Sequence, residues 1–530
     1  MDTELKKSSN VEDYDTGFTE PIQQSKDGFN YISGWRLHLI TTGLLLGLFL
    51  INFEITIVST AVVSITNDFG NFAGSSWIIT SYLITYVAFL VIWAKVSDLI
   101  GRKVACNIAV ILFTAFSAGC GAAQTMDQLI ICRAFQGLGG AGMYSVFTVM
   151  IYELVPPPKY PLYTASAIAL IALANAIGPL FGGLISERST WRWVFLLNIP
   201  TGIVSGGLLL FTVPADFPNQ GRAEPKKKLL MKQVDFVGAF LMLAAVALVI
   251  TGLEQAASTL SWTTAEVLGP LSASAIAWLA FFACQYWHES HPESPVEAVF
   301  PWRFCKSRVV LGLILITFIF QIPLRYQTAG ALDPLQAGIR LLPFSLSGPV
   351  GSIFSAGISK RLRVPPLYLM FLGSIMQIIG IVFTSRGSPG DYNWSGLYGL
   401  EVVVGLGFGF CLGASTLLTP FVLEKRDLAV GTAATVQFRF LGGAAVVSIV
   451  TAVGNSWIRD RLSNSLTPLQ IQAVFQSSET IRTLPANIQD LVRMTFSENF
   501  NLQMRIVLGF AVAGVITPLL MWRRVQVQVE

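Results

Sequence analysis

The sequence predicts an all-α membrane protein of fourteen spans, and three observations carry that reading: scarcity of charge, apolar runs of bilayer length, and basic residues gathered on alternate connections. Of 530 residues, 53% are hydrophobic and 12% charged, whereas a soluble domain has about a quarter of its residues charged. A bilayer core of about 30 Å needs roughly 20 apolar helical residues. Measured that way, spans are expected at 37–63, 76–96, 104–123, 128–154, 162–186, 193–213, 234–253, 267–287, 309–324, 339–358, 365–384, 396–422, 430–453 and 503–522. The ninth is short, ending at Arg325, and a re-entrant piece fits it as an alternative.

These runs divide the chain. A disordered cytoplasmic tail is expected over 1–36 and a bundle of six helices over 37–213. A cytoplasmic linker over 214–233 follows, then two additional central spans over 234–287, a cytoplasmic loop over 288–308 and a second six-helix bundle over 309–522. A short cytoplasmic tail over 523–530 closes the sequence. The second bundle includes an outer loop over 454–501, whose Ile458, Leu462, Leu466 and Leu469 suggest short amphipathic helices on the outer surface. With the amino terminus inside, the inner segments hold most of the 35 lysines and arginines, including Lys226–Lys228 and Lys360–Arg363. The first helix is expected to target the chain without a cleavable leader. Asn393 heads a glycosylation sequon on the outer side.

Several function classes are disfavoured. Phosphate-binding loops, HExxH and GxSxG motifs are missing from the sequence, so neither ATP hydrolysis nor another enzyme activity is expected. No basic stripe interleaved with aromatics suggests a nucleic-acid partner. The six cysteines lack paired spacing and read as free thiols, and no cofactor is expected. His288 and His291 could hold a metal, but a solvated loop accounts for them better. Gly405, Gly407, Gly409 and Gly413 lie in one apolar run and read as helix packing.

Ionisable residues inside spans are the informative ones. Each costs about 2.5 to 3.5 kcal/mol on insertion scales and survives chiefly by facing a partner or a cavity. Glu54 lies roughly 26 Å from the inner end of the first span and Arg133 roughly 8 Å from the outer end of the fourth, at comparable depth. Glu54 is therefore expected to bind a proton, with an affinity that changes as Arg133 approaches; a static ion pair that fixes packing fits as well. Arg133, Gln136, Gly137, Gly140 and Tyr144 share one stripe of the fourth span. Gln136, Tyr144, Asn175 and Arg439 are assigned to a substrate cavity, although a structural role suits Arg439 equally. Gly178 and Gly182 allow close helix approach, and Pro179 bends the fifth span into a hinge or merely packs it.

These residues resemble the major facilitator superfamily, and within it the fourteen-span drug:proton antiporters of the fungal multidrug and toxin efflux type. The loop from Ala94 to Lys103, with Asp98, Gly101 and Arg102, is similar to the family's motif A, departing at Ala94 and Leu99. Leu129 to Ala141 resembles motif B. Ala174 to Gly183, with Gly178, Pro179, Gly182 and Gly183, resembles the antiporter motif C. Trp191 through Asn198 and Pro200 is similar to a signature of the fourteen-span branch, and Glu54 stands where the family usually has aspartate.

The resemblance covers spans one to fourteen. It implies a major facilitator fold, alternating access, and an Asp98 latch between the inner ends of the halves. The implied function is proton-coupled export of amphipathic drugs, toxins or secondary metabolites. The expected partners are a small-molecule substrate, protons and the lipid bilayer, with a monomer in the plasma membrane and both termini cytoplasmic. A proton symporter importing a small solute and a non-transporting sensor are the alternatives.

Overall fold

The computed structural model describes residues 31–70, 75–215, 217–218, 233–259, 262–291, 293, 296–319, 342–386, 396–424, 426–476, 484–524 and 526–528. Its helices are α1 (Gly34–Phe69), α2 (Ser75–Ile100), α3 (Arg102–Ala122), α4 (Met126–Leu154), α5 (Tyr160–Arg188), α6 (Arg192–Leu196), α7 (Asn198–Thr212), α8 (Phe236–Thr259) and α9 (Ala265–Ser290). They continue with α10 (Arg303–Lys306), α11 (Arg308–Ile319), α12 (Leu342–Arg361), α13 (Pro366–Thr384), α14 (Gly396–Val422), α15 (Leu428–Leu462), α16 (Pro468–Gln476) and α17 (Ala486–Leu520). Strands are absent among the described residues, apart from one bridge between Val234 and Glu297. An all-helical chain is what lipid demands, because a helix satisfies its backbone polar groups internally.

Twelve helical segments of the described residues are long and apolar enough to cross a membrane, against fourteen expected. The difference lies at the ninth and tenth spans. Helix α11 is apolar but short, and 320–341 lie outside the described residues. Helix α12 is long enough, but Ser345, Ser347, Ser352, Ser355 and Ser359 dilute its apolar character. Its serines are spent on packing: Ser352 Oγ donates to Gly409 O at 2.8 Å and Ser355 Oγ to Phe410 O at 3.3 Å, so α12 and α14 approach at the glycines of α14.

Two bundles repeat one packing pattern. In the first, α1 packs on α5 and α7, α2 on α4, and α3 on α4 and α7. The second places α11 on α15 and α17, α12 on α14, and α13 on α14 and α17. Between bundles, α2 meets α15 and α5 meets α12, contacts that exchange under the same repeat. Helix α8 lies against both α2 and α15, with α9 outside it. The result is two similar halves about an axis normal to the membrane.

Among the described residues the halves close at the end bearing the α2–α3 loop. There a single buried cluster joins Leu44 and Leu48 of α1, Met150 of α4 and Val430 and Ala434 of α15. At the opposite end the clusters stay within halves, around Ile57 and Phe195 in the first and Val404 and Val446 in the second.

Two loops differ from expectation. Much of 288–308 is packed rather than solvated. Phe300 and Phe304, each 3% exposed, join the cluster that spans the halves, and Gln285 Oε1 accepts from the backbone of Phe300 at 3.1 Å. This strap ties the halves to each other: Lys95 Nζ reaches Glu297 at 3.1 Å, and Arg303 grips both carboxylate oxygens of Asp427 at 2.6 and 2.5 Å. Among the described residues of 454–501, α15 and α17 extend into the segment, each about 52 Å long against a bilayer core of about 30 Å. With the short helix α16 they enclose a small core of Ile458, Leu462, Ile471 and Phe496. Residues 1–30, Lys226–Lys228 and Asn393 lie outside the described residues.

Candidate functional site

The long apolar helix α1 carries Glu54 into the first bundle, where its carboxylate is fully buried. Arg133 of α4, 1% exposed, donates from Nη1 to Glu54 Oε1 at 2.5 Å and from Nε to Ile78 O at 3.0 Å. Its guanidinium also lies 4.3 Å over the Tyr82 ring. Gln136 accepts from Arg133 at 2.7 Å and donates to Glu54 at 3.1 Å and to Ser117 at 2.7 Å. Asn198, at the start of α7, donates to Glu54 Oε2 at 2.5 Å and to Ser117 at 3.4 Å. Donors from α4 and α7 thus converge on one carboxylate carried by α1, with Ser117 of α3 and Ile78 of α2 holding those donors in turn, as a buried charge requires.

A cavity of about 300 Å³ lies between the bundles, adjoining this cluster on the far side of α1. Asn52 and Thr56, flanking Glu54 in sequence, face it. Three of the expected cavity residues line it: Tyr144, Asn175 and Arg439. Gln136 does not, because its face of α4 meets α1 and α3 while Tyr144, two turns on, reaches the space between the halves. Arg439 Nη2 donates to Tyr144 Oη at 2.8 Å, and its guanidinium lies 5.1 Å from the Phe440 ring. At the α2–α3 end, Tyr152 Oη donates to Thr416 O at 3.2 Å, a bond between the two halves beside the cavity floor.

Around the α2–α3 loop, Asp98 pairs with Arg102 at 2.7 Å, and Arg102 reaches on to both oxygens of Glu153 at 2.9 and 3.0 Å and to Ser97 Oγ. Gly101 joins the helices at φ 93° and ψ 150°, backbone open to glycine alone. On α5, Gly178 and Gly182 press against α1: a Cβ would strike Thr56 Oγ1 at the first and Thr60 Oγ1 at the second. Gly183 is buried beside them. Thr56 Oγ1 donates across this seam to Ala174 O at 3.3 Å. Helix α5 remains continuous through Pro179.

His288 turns from His291 toward Asp235, at 3.5 Å, while His291 stacks on Trp287. Asp235 Oδ1 accepts from Gly238 N at 2.6 Å and Oδ2 from Gln285 at 2.8 Å, bonds that hold the start of α8 against α9. The sequence reading passed over Asn198, Ser117 and Glu153 as partners, and Glu401 of α14 as a further buried carboxylate, 3% exposed.

Two bundles repeating one packing pattern around a central cavity mark a transporter architecture, and residues 44–447 match the family model described as Major Facilitator Superfamily. The chain belongs to the major facilitator superfamily. It is therefore a multi-pass membrane transporter and not an enzyme. Among curated relatives of this superfamily member, MFS-type transporter FPY5 of Fusarium mangiferae is 38% identical over 93% of this chain and 85% of its own. The rubrofusarin-specific efflux pump aurT of Gibberella zeae is 28% identical over 83% and 80%, and the efflux pump aflT of Aspergillus parasiticus 27% over 84% and 87%. Solved structures agree on the fold. A bacterial homolog of the human lysosomal transporter Spinster has a TM-score of 0.58 at 15% identity, covering 93% of this chain and all of that one. The xylose transporter XylE from E. coli has a TM-score of 0.52 at 14% identity, over 92% and 99%.

Proposed function

We propose that the protein is a proton-coupled exporter of amphipathic small organic molecules, drugs, toxins or secondary metabolites, working by alternating access. Export is supported by the efflux-pump relatives in two fungi. Proton coupling rests on one observation: the Glu54–Arg133 pair is sealed directly behind a cavity wall built from the same helix. When Glu54 takes a proton, Arg133 loses its counter-charge in a low-dielectric interior, an arrangement that is costly to leave unrelaxed. Relaxation moves α1, and with it Asn52 and Thr56 on the cavity wall and the seam at Gly178. Proton occupancy and cavity shape are thereby linked.

The α2–α3 end, rich in Lys95, Arg102, Lys103, Lys360 and Arg361, is cytoplasmic in this reading, with both termini on that side. The structure then corresponds to a state closed toward the cytoplasm, with the Tyr152–Thr416 bond and the strap across that closure, while the Asp98–Arg102–Glu153 pairs hold the first half's own inner end. Fourteen crossings follow if α11 continues and α12 spans. A monomer in the plasma membrane, with no nucleic-acid partner, completes the proposal.

Proteoliposomes holding the purified chain and a fluorescent amphiphile test it. Wild-type protein is expected to drive uptake against a gradient when an opposing proton gradient is imposed. Glu54→Gln should bind the amphiphile yet lose that uptake, and undiminished proton-driven flux in Glu54→Gln refutes the coupling.

A further inference from the structure

We infer that the central cavity takes organic anions: compact amphipathic compounds bearing one acidic group on an apolar, partly hydroxylated skeleton. This deepens the export reading and rests on it for the word substrate, though not for binding.

Arg439 carries the argument. Arg102, Arg133 and Arg303 each have a carboxylate partner: Arg102 has Asp98 and Glu153, Arg133 has Glu54, and Arg303 has Asp427. Arg439 has none within ion-pair distance among the described residues, and no other charged side chain lines the cavity there. Its one hydrogen bond goes to a neutral phenol, Tyr144, and aromatic rings flank it. Glu54 cannot compensate it, since that carboxylate is committed to Arg133 on the far side of α1. The described lining therefore carries a net positive charge about 16 Å along α15, midway through the membrane. A guanidinium offers five N–H donors in a fork that suits a carboxylate, and only one is used. The missing counter-charge is supplied by the bound molecule.

The rest of the wall says what that acid is attached to. Thr148, Thr416, Thr419 and Thr435 each spend the hydroxyl proton on a carbonyl of their own helix, at 2.7 to 2.8 Å. Toward the cavity they present oxygen lone pairs, which accept from neutral hydroxyls and repel further negative charge. Between them lie aliphatic and aromatic side chains such as Ile168 and Phe408. Arg439 is thus the one cationic donor the described lining offers the acid, with the Asn175 amide and the Tyr144 hydroxyl as neutral donors. A cation placed in the same space meets the guanidinium's charge, so discrimination is built in by repulsion as well as attraction. At about 300 Å³ the space is at the small end of ligand pockets and suits a compact ring system.

Purified full-length protein is titrated with a library in which each aryl skeleton occurs as the carboxylate, its methyl ester and its aminomethyl cation. For skeletons that bind, the carboxylate should bind at least about tenfold tighter than the ester, the scale of a hydrogen bond to a charged group. The cation should not bind. Arg439→Gln should erase the preference while changing ester affinity less than about twofold, and Arg439→Lys should keep it in weakened form. No preference in the wild type, a preference retained in Arg439→Gln, or no carboxylate binding across the library each overturns the inference. The wild-type comparison needs no variant, so a misfolded Arg439→Gln leaves it decisive. Gradient-driven flux is scored separately. Carboxylate preference without flux leaves the ligand class standing and removes export; flux confined to esters or cations does the reverse.

Discussion

Arg133 Nη1 lies 2.5 Å from Glu54 Oε1, while two residues away, on the opposite face of α1, Asn52 already faces the cavity. Removing one partner of such a pair strands the other charge, at about 3–5 kcal/mol, whereas removing both is far milder. Glu54→Gln and Arg133→Met alone should each lower the apparent melting temperature in detergent, and the double variant should recover most of the loss. The sum of the two single effects should exceed the double by more than about 2 kcal/mol in the cycle. Additive behaviour would show that the pair contributes no mutual stabilisation.

Close approach at Gly178 makes a second prediction. A methyl there strikes Thr56 Oγ1, with the Ile57 amide behind it at 3.2 Å, so the α1–α5 seam must open. Gly178→Ala should cut export at least about tenfold and destabilise the protein by about 1–3 kcal/mol, as overpacking does. Gly207 of α7 has nothing within 4 Å of such a methyl, and Gly207→Ala should leave both properties near wild type. Equal effects at the two positions would mean that helix propensity, and not the seam, is being measured.

How far the sequence went is clear from particular residues. Glu54 and Arg133 stood out because a charge in lipid is costly enough to need a reason, and equal depth suggested that they meet. Asn198 and Ser117, which complete the cluster, carry no such cost and look like any polar residue in a span. Periodicity put Gln136 on the same stripe as Tyr144, but a stripe does not tell which neighbour each turn meets. The strap was read as loop because it lacks a periodic run; Phe300, Trp302 and Phe304 were the overlooked sign that it is buried. Helix α12 is a span in length, but its serines and glycines serve contact with α14 and leave it less apolar than the other spans.

Gly101 offers a purely local test. Its φ of 93° with ψ of 150° is a region that side chains enter at about 1–3 kcal/mol. No atom lies within 4 Å of an added methyl, so any cost comes from the backbone and not from collision. Gly101→Ala should lower thermal stability by that amount while leaving the Arg102–Glu153 pair intact, as a double-mutant cycle with Glu153→Gln can check. An unchanged melting temperature would mean that the loop relaxes to another conformation at no cost.

The bidentate grip of Arg303 on Asp427 has a consequence for closure. Arg303 sits on the strap whose aromatics fill the contact between the halves, and Asp427 precedes the first turn of α15, which packs on α2. Arg303 is partly exposed and the cation of the pair is strengthened by its partner, since the Asp427 hydrogen bond raises the guanidinium's proton affinity above the ordinary range. Solvent screening limits the pair's value, so a loss of about 1 kcal/mol is expected from Asp427→Asn. That is small against the whole fold yet large against a balance between two conformations, where it changes the ratio about fivefold. A cysteine placed at Thr416, beside the floor of the cavity, should therefore react faster with a reagent added from the α2–α3 side in Asp427→Asn than in the parent. Exchanging the charges, Arg303→Asp with Asp427→Arg, should bring the rate back toward the parent value. Identical labelling in all three proteins would show that Phe300 and Phe304 hold this end closed without help from the ion pair.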